Sequence, residues 1–299
     1  MKEDTSTLSK NMAKNNPLRA ESRAAHTRRE IWKAGKSSLI FILAFVYLIP
    51  VIVLVLTSFK TQVQIMEKGF GWIFMPTLAN YSNVLLEQGF LRYLTNSLIV
   101  GLVATFFTLL FGGFASYALV RFHFIGKGAI SLSTLLIRMI PPAVLVVPIY
   151  VLWSYFGLAD TLLGLIIIYV GLNLPFTIWV LISFIADVPV ELEEAAVVDG
   201  CGPWKIFFLI IIPLIKPGLA AAAIFTFRIA WNEFILALVL TNRMTRTLPV
   251  ATTIYLTDTG IEWGNITAMG TLVALPAIIF TFLAAKQIIA GLTAGAVKG

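Results

Sequence analysis

The chain has 299 residues, 59% of them hydrophobic and 12% charged, with a mean hydropathy of +0.90. Soluble domains carry about 25% charged residues, so half that share, set between long uncharged runs, excludes an ordinary soluble globule and points to a bilayer. One cysteine, Cys201, excludes an intrachain disulfide, two histidines, His26 and His123, exclude most His/Cys metal centres, and no catalytic or metal set is assigned.

The net charge of +7 is concentrated: nine of the 22 Lys/Arg fall in the first 36 residues. That clustering reads as a topology signal rather than a nucleic-acid footprint. Residues 1–36 are expected to form a basic cytoplasmic tail, polar and disordered to about Thr27. The apolar run that follows is too long for the core of a cleaved signal.

Six stretches approach the roughly 20 residues a helix needs to cross the hydrocarbon core. They lie between Lys36 and Lys60, Arg92 and Arg121, Ala129 and Trp153, Asp160 and Asp187, Gly218 and Leu240, and Glu262 and Lys286. With the N-terminus inside, 15 Lys/Arg fall on the inner side and 5 on the outer, so both termini are expected to be cytoplasmic. The fold class is therefore an all-α membrane protein of six transmembrane helices. Residues 1–36 are the tail, 37–91 the first span and outer loop, 92–286 the transmembrane core, and 287–299 a C-terminal cytoplasmic tail.

One inner loop, residues 187–217, is long and has helix punctuation. Pro189 suits a first helical turn, and Glu191, Glu193 and Glu194 favour the positive end of a helix dipole. Asp199-Gly200 signals a stop and turn, Pro203 opens a second helix, and Pro213 and Pro217 bend the entry to the fifth span. A short exposed helix of this kind suits a groove on another protein or the lipid headgroups.

Ionisable residues within spans are costly and are functional candidates by default. Arg228 lies 11 residues past Pro217, which is about 16 Å along a helix and near mid-membrane. Asn232 shares its face; Glu233 is rotated away; Asn173 is a lone polar residue in the fourth span. Arg228, Asn232, Glu233 and Asn173 are the substrate-path candidates, with helix–helix bonding as the competing role. Arg138 is expected to satisfy carbonyls freed by Pro141 and Pro142. Gly101, Gly112 and Gly113 are expected to let helices approach closely.

Glu194-Ala195-Ala196, Asp199-Gly200, Phe207, Pro213 and Pro217 together resemble the EAA loop of ABC importer permeases, with Cys201 where alanine is commoner. Asn96-Ser97, Pro141-Pro142, Pro148-Ile149-Tyr150, Trp231-Asn232-Glu233-Phe234 and the tail GLTAGAVKG resemble the maltose- and trehalose-type carbohydrate branch. The resemblance covers roughly Leu39 to Gly299. It implies the type I importer permease fold and an ATP-driven sugar importer of the bacterial or archaeal cytoplasmic (inner) membrane.

The implied partners are a second, non-identical permease, homodimeric or heterodimeric ATP-binding subunits and an extracytoplasmic sugar-binding protein. The lipid bilayer surrounds the chain, and no nucleic acid is implied. ATP and Mg are implied only in the ATPase, and the chain itself has no G-x-x-x-x-G-K-[ST] phosphate loop. The implied ATPase-docking residues are Glu194, Ala195, Ala196, Asp199, Gly200, Phe207 and Pro213, and the tail from Gly291 to Gly299 is implied to reach the ATPase interface. A permease for a non-sugar solute fits the loop equally well. An ion-coupled carrier leaves the loop unexplained, and no intramembrane Ser–His pair supports a hydrolase.

Overall fold

The computed structural model describes residues 17–67, 71–87, 89–258 and 260–296. Residues 1–16 of the basic tail and 297–299 of the C-terminal tail lie outside the described residues. The chain divides into two units, residues 1–56 and 57–299. Helix α1 (Pro17–Ser58) occupies most of the first unit. The segment from Pro17 to Thr27, expected to be disordered, is helical and runs without interruption into the first apolar stretch.

In the second unit, short helices α2 (Gln62–Met66) and α3 (Ala79–Ser82) precede the long α4 (Phe90–Arg121). Then come α5 (Lys127–Arg138), α6 (Pro142–Tyr155) and α7 (Leu162–Ala186). The segment after α7 holds α8 (Glu191–Val198), α9 (Pro203–Ile206), a π turn at Phe207–Ile211 and α10 (Ile212–Leu214). Helices α11 (Lys216–Asn232), α12 (Ile235–Leu240) and α13 (Leu248–Ala251) follow. A two-stranded hairpin, β1 (Leu256–Thr257) and β2 (Gly260–Ile261), pairs Leu256 with Ile261 before α14 (Trp263–Ala296) closes the chain.

Among the described residues, four helical segments are long and apolar enough to cross a membrane: Gly35–Ser58, Phe90–Arg121, Leu162–Ala186 and Trp263–Phe282. The third expected span is not straight, and the entry to the fifth is bent, as Pro213 and Pro217 lead one to expect. Helices α5 and α6 meet at 100°, and Pro203–Leu214 meets α11 at 79°. The physical reason is proline: Pro141 and Pro142 lack the N–H groups that would continue α5, and Pro141 is extended (φ −63°, ψ 131°). Counting each bent pair as one crossing gives six. The fifth span is also broken after Asn232, where Glu233 turns extended (ψ 128°) before α12 begins.

Helix α4 lies along α7 and against α11, and α14 packs on α11. Small residues permit the approach. A Cβ at Gly112 would stand 2.7 Å from Thr177 Cγ2, and one at Gly101 would stand 2.9 Å from the Phe227 ring. Three apolar clusters fill the unit: one around Trp231, Phe227 and Tyr255, one around Leu165, Tyr169 and Leu236, and one around Phe207, Ile185 and Ile211. Asn96 and Ser97 tie the segment before α13 to α4. Asn96 Nδ2 donates to the carbonyls of Met244 and Arg246, both at 2.9 Å, and Ser97 Oγ accepts from Leu248 N at 2.7 Å.

Candidate docking loop and intramembrane cavity

The loop after α7 folds as a helix, a turn and a helix, except that Pro189 precedes the N-cap Val190 instead of lying in the first turn of α8. The acidic first turn of α8, with Glu191, Glu193 and Glu194, sits at the positive end of its dipole. The helix ends in a Schellman motif: Gly200 N donates to Val197 O at 3.0 Å and Cys201 N to Ala196 O at 2.9 Å. This closure needs a left-handed residue, and Gly200 supplies it with φ +80°. Cys201 packs against the cluster around Phe207, so a small apolar side chain serves this position.

Glu194, Ala195, Asp199 and Gly200 are exposed, while Ala196 is buried. Apolar residues stand out beside them: Val197 is 59% and Val198 86% exposed. Val197 and Val198 thus form an adjacent exposed aliphatic pair on a short acidic helix. Phe207 is placed elsewhere. It is 3% exposed, with its ring centroid 4.9 Å from Phe114 and 5.4 Å from Tyr117, so it roots the loop in the bundle. Pro213 is exposed within α10, next to the 79° bend.

In the sequence Glu193 is one of three dipole-favouring acids. The structure separates it from the other two. Glu193 is 8% exposed and pairs with Arg121 at the last turn of α4, Nε to Oε1 at 2.5 Å. Tyr117 Oη donates to Glu193 Oε2 at 2.7 Å. Arg121 Nη2 also donates to Ile185 O at 3.1 Å and Val188 O at 2.7 Å, at the end of α7. One guanidinium thus joins α4, α7 and α8. The available signal was spacing: Glu193 and Ala196 are three apart, and both face inward.

The substrate-path candidates separate into two places. Asn173 and Glu233 line a cavity of ≈ 230 Å³, together with Arg138, Tyr169 and Phe176. Arg228 instead lines a narrow cleft of ≈ 10 Å³ beside Phe227, Trp231 and Phe280. Asn232 is exposed and donates back to Arg228 O at 2.8 Å, as neighbours on one helical face do.

Glu233 has a defined structural task. Its Oε1 accepts from Leu236 N at 2.9 Å, and its Oε2 accepts from Ala237 N at 3.0 Å and Tyr169 Oη at 2.6 Å. It therefore caps α12 and holds the break in the fifth span open. Arg138 does not bond the carbonyls before Pro141, as sequence reading expected. Its guanidinium lies 4.3 Å from the centre of the Phe176 ring. No group of three or more His, Cys, Asp or Glu among the described residues could hold a metal ion.

Apolar helices, two broken spans around a cavity that holds Asn173 and Glu233, and a rooted helix–turn–helix loop with an exposed face fit a membrane subunit built for transport. The chain belongs to the binding-protein-dependent transport system inner membrane components, whose family model matches residues 104–293. It is 38% identical over 258 residues to the probable ABC transporter permease protein y4oR of Sinorhizobium fredii, covering 86% of this chain and 92% of that one. It is 38% identical over 226 residues to the trehalose transport system permease protein SugB of Mycobacterium tuberculosis, covering 75% and 82%. Its fold is similar to a chain of a bacterial ABC transporter involved in the import of the acidic polysaccharide alginate, with TM-score 0.74 at 20% identity over 86% of this chain and 96% of that one.

Proposed function

We propose that the chain is the shorter, six-span permease of an ATP-driven carbohydrate importer, with both termini cytoplasmic. It forms half of the translocation pore in a bacterial or archaeal cytoplasmic membrane. The other half is a second, non-identical permease. Two ATP-binding subunits, identical or not, hold ATP and Mg, and an extracytoplasmic binding protein delivers the sugar.

The observation that carries this reading is the rooted loop with its exposed acidic and apolar face. Glu194, Ala195, Asp199 and Gly200 form the docking surface, Ala196 and Phe207 support it from beneath, and Pro213 shapes the return into the membrane. Closure of the ATPases pushes α8, and the Arg121–Glu193 pair carries that displacement to the ends of α4 and α7. Asn173 and Glu233 lie beside the sugar path; Arg228 and Asn232 pack on its flank. The carbohydrate class is supported by the trehalose in the name of one relative.

The test is ATP hydrolysis by the reconstituted complex, with its binding protein and a panel of sugars, polyols, phosphate, amino acids and peptides. The proposal expects stimulation by a sugar. Stimulation by a non-sugar alone would replace the carbohydrate class and keep the permease role.

A further inference from the structure

One charged group on the cavity wall, the exposed Arg138, is not used by the fold. Arg138 stacks on Phe176 at 4.3 Å and makes no hydrogen bond or ion pair with any described residue. A guanidinium presents five N–H donors and keeps its charge. Within a membrane-spanning region such a group is expensive unless acceptors reach it. Phe176 is itself braced by Phe225, centroids 5.6 Å apart and rings at 75°. The plate that supports Arg138 is therefore fixed.

The neighbouring groups narrow what those acceptors are. The Glu233 carboxylate already accepts from three donors, so its position is set and it competes little for Arg138. Its charge still disfavours an anion in the same cavity. Asn173 is 3% exposed and spends its Nδ2 on Tyr169 O at 2.8 Å, while its Oδ1 accepts nothing from the described residues. The cavity thus offers a donor fork and one free acceptor. Vicinal hydroxyls match both, accepting hydrogen bonds from the Arg138 guanidinium and donating one to Asn173 Oδ1. The ≈ 230 Å³ volume is below the roughly 300–1,000 Å³ of drug-sized pockets and suits one ring rather than a chain.

We infer that Arg138 and Asn173 form a subsite for a single neutral, hydroxyl-bearing sugar ring on the translocation path. This rests on the carbohydrate reading above. The experiment uses the complete transporter in proteoliposomes, with its binding protein and radiolabelled trehalose, maltose and cellobiose. The readout is sugar accumulated per ATP hydrolysed in wild type, Arg138→Leu, Arg138→Lys and Asn173→Leu.

The expected result is a fall of at least tenfold in Arg138→Leu, a smaller fall in Arg138→Lys, and a severalfold fall in Asn173→Leu. A wild-type ratio in Arg138→Leu overturns the subsite and leaves the importer reading standing. Loss of the second permease on purification of both Arg138 variants also overturns it, since that marks a purely structural role. If the wild type takes up none of the three, the sugar that most stimulates its ATP hydrolysis replaces them, and stimulation by a non-sugar alone defeats the carbohydrate reading and the subsite with it.

Discussion

Arg121 at the end of α4 and Glu193 in α8 meet at 2.5 Å, with side chains only 12% and 10% exposed. This contact joins the loop to the bundle. Removing one partner of a buried pair leaves an unpaired charge and costs about 3–5 kcal/mol. Glu193→Ala is expected to lower thermal stability in detergent and to reduce sugar transported per ATP. The Arg121→Glu/Glu193→Arg double variant should recover less than the sum of both losses, because Arg121 also serves two carbonyls. Full recovery would show that charge alone matters there.

Gly200 separates two effects. Open space surrounds a Cβ built on it, so side-chain size is not the constraint. Its φ of +80° is. Gly200→Ala is expected to cost about 1 kcal/mol and to slow uptake modestly. Gly200→Pro also removes the N–H that bonds Val197 O and should uncouple transport while the chain still inserts. Uptake and ATPase co-purification read both outcomes.

Exposed Glu194 and Val198 should report contact with the ATPase without disturbing the fold. Glu194→Lys and Val198→Asp are expected to leave the melting temperature of the isolated permease within the ±0.5 kcal/mol equivalent typical of surface changes. Both should weaken co-purification of the ATPase. Equal recovery of the ATPase in both variants would move the interface elsewhere.

Glu233 should behave as a cap. Loss of capping costs about 0.5–2 kcal/mol, so Glu233→Ala should destabilise the permease by that amount and Glu233→Gln by less. Gln keeps one acceptor oxygen for Leu236, Ala237 or Tyr169. Thermal unfolding of the two variants in detergent distinguishes them.

The helix–turn–helix after α7 was legible because its determinants are local: Pro189, the acidic first turn, Asp199-Gly200 and Pro203 each act within one turn of chain. The bends at Pro141-Pro142 and after Leu214 were marked by proline, but hydropathy alone cannot separate a straight span from a bent one. The break at Glu233 was hidden, since its stabilising partner, Tyr169, is 64 residues away. Glu193 and Arg121, 72 residues apart, were obscured for the same reason. Arg138 was seen as an intramembrane charge, yet its ring partner Phe176 emerges only when α5 lies against α7.

The most direct test of the central claim is sugar accumulation by proteoliposomes containing the two permeases and ATPase, with ATP inside and loaded binding protein outside. Accumulation should require both ATP and the ATPase and should be lost in Gly200→Pro. Accumulation driven by an ion gradient without ATP, or unchanged in Gly200→Pro, would contradict the account.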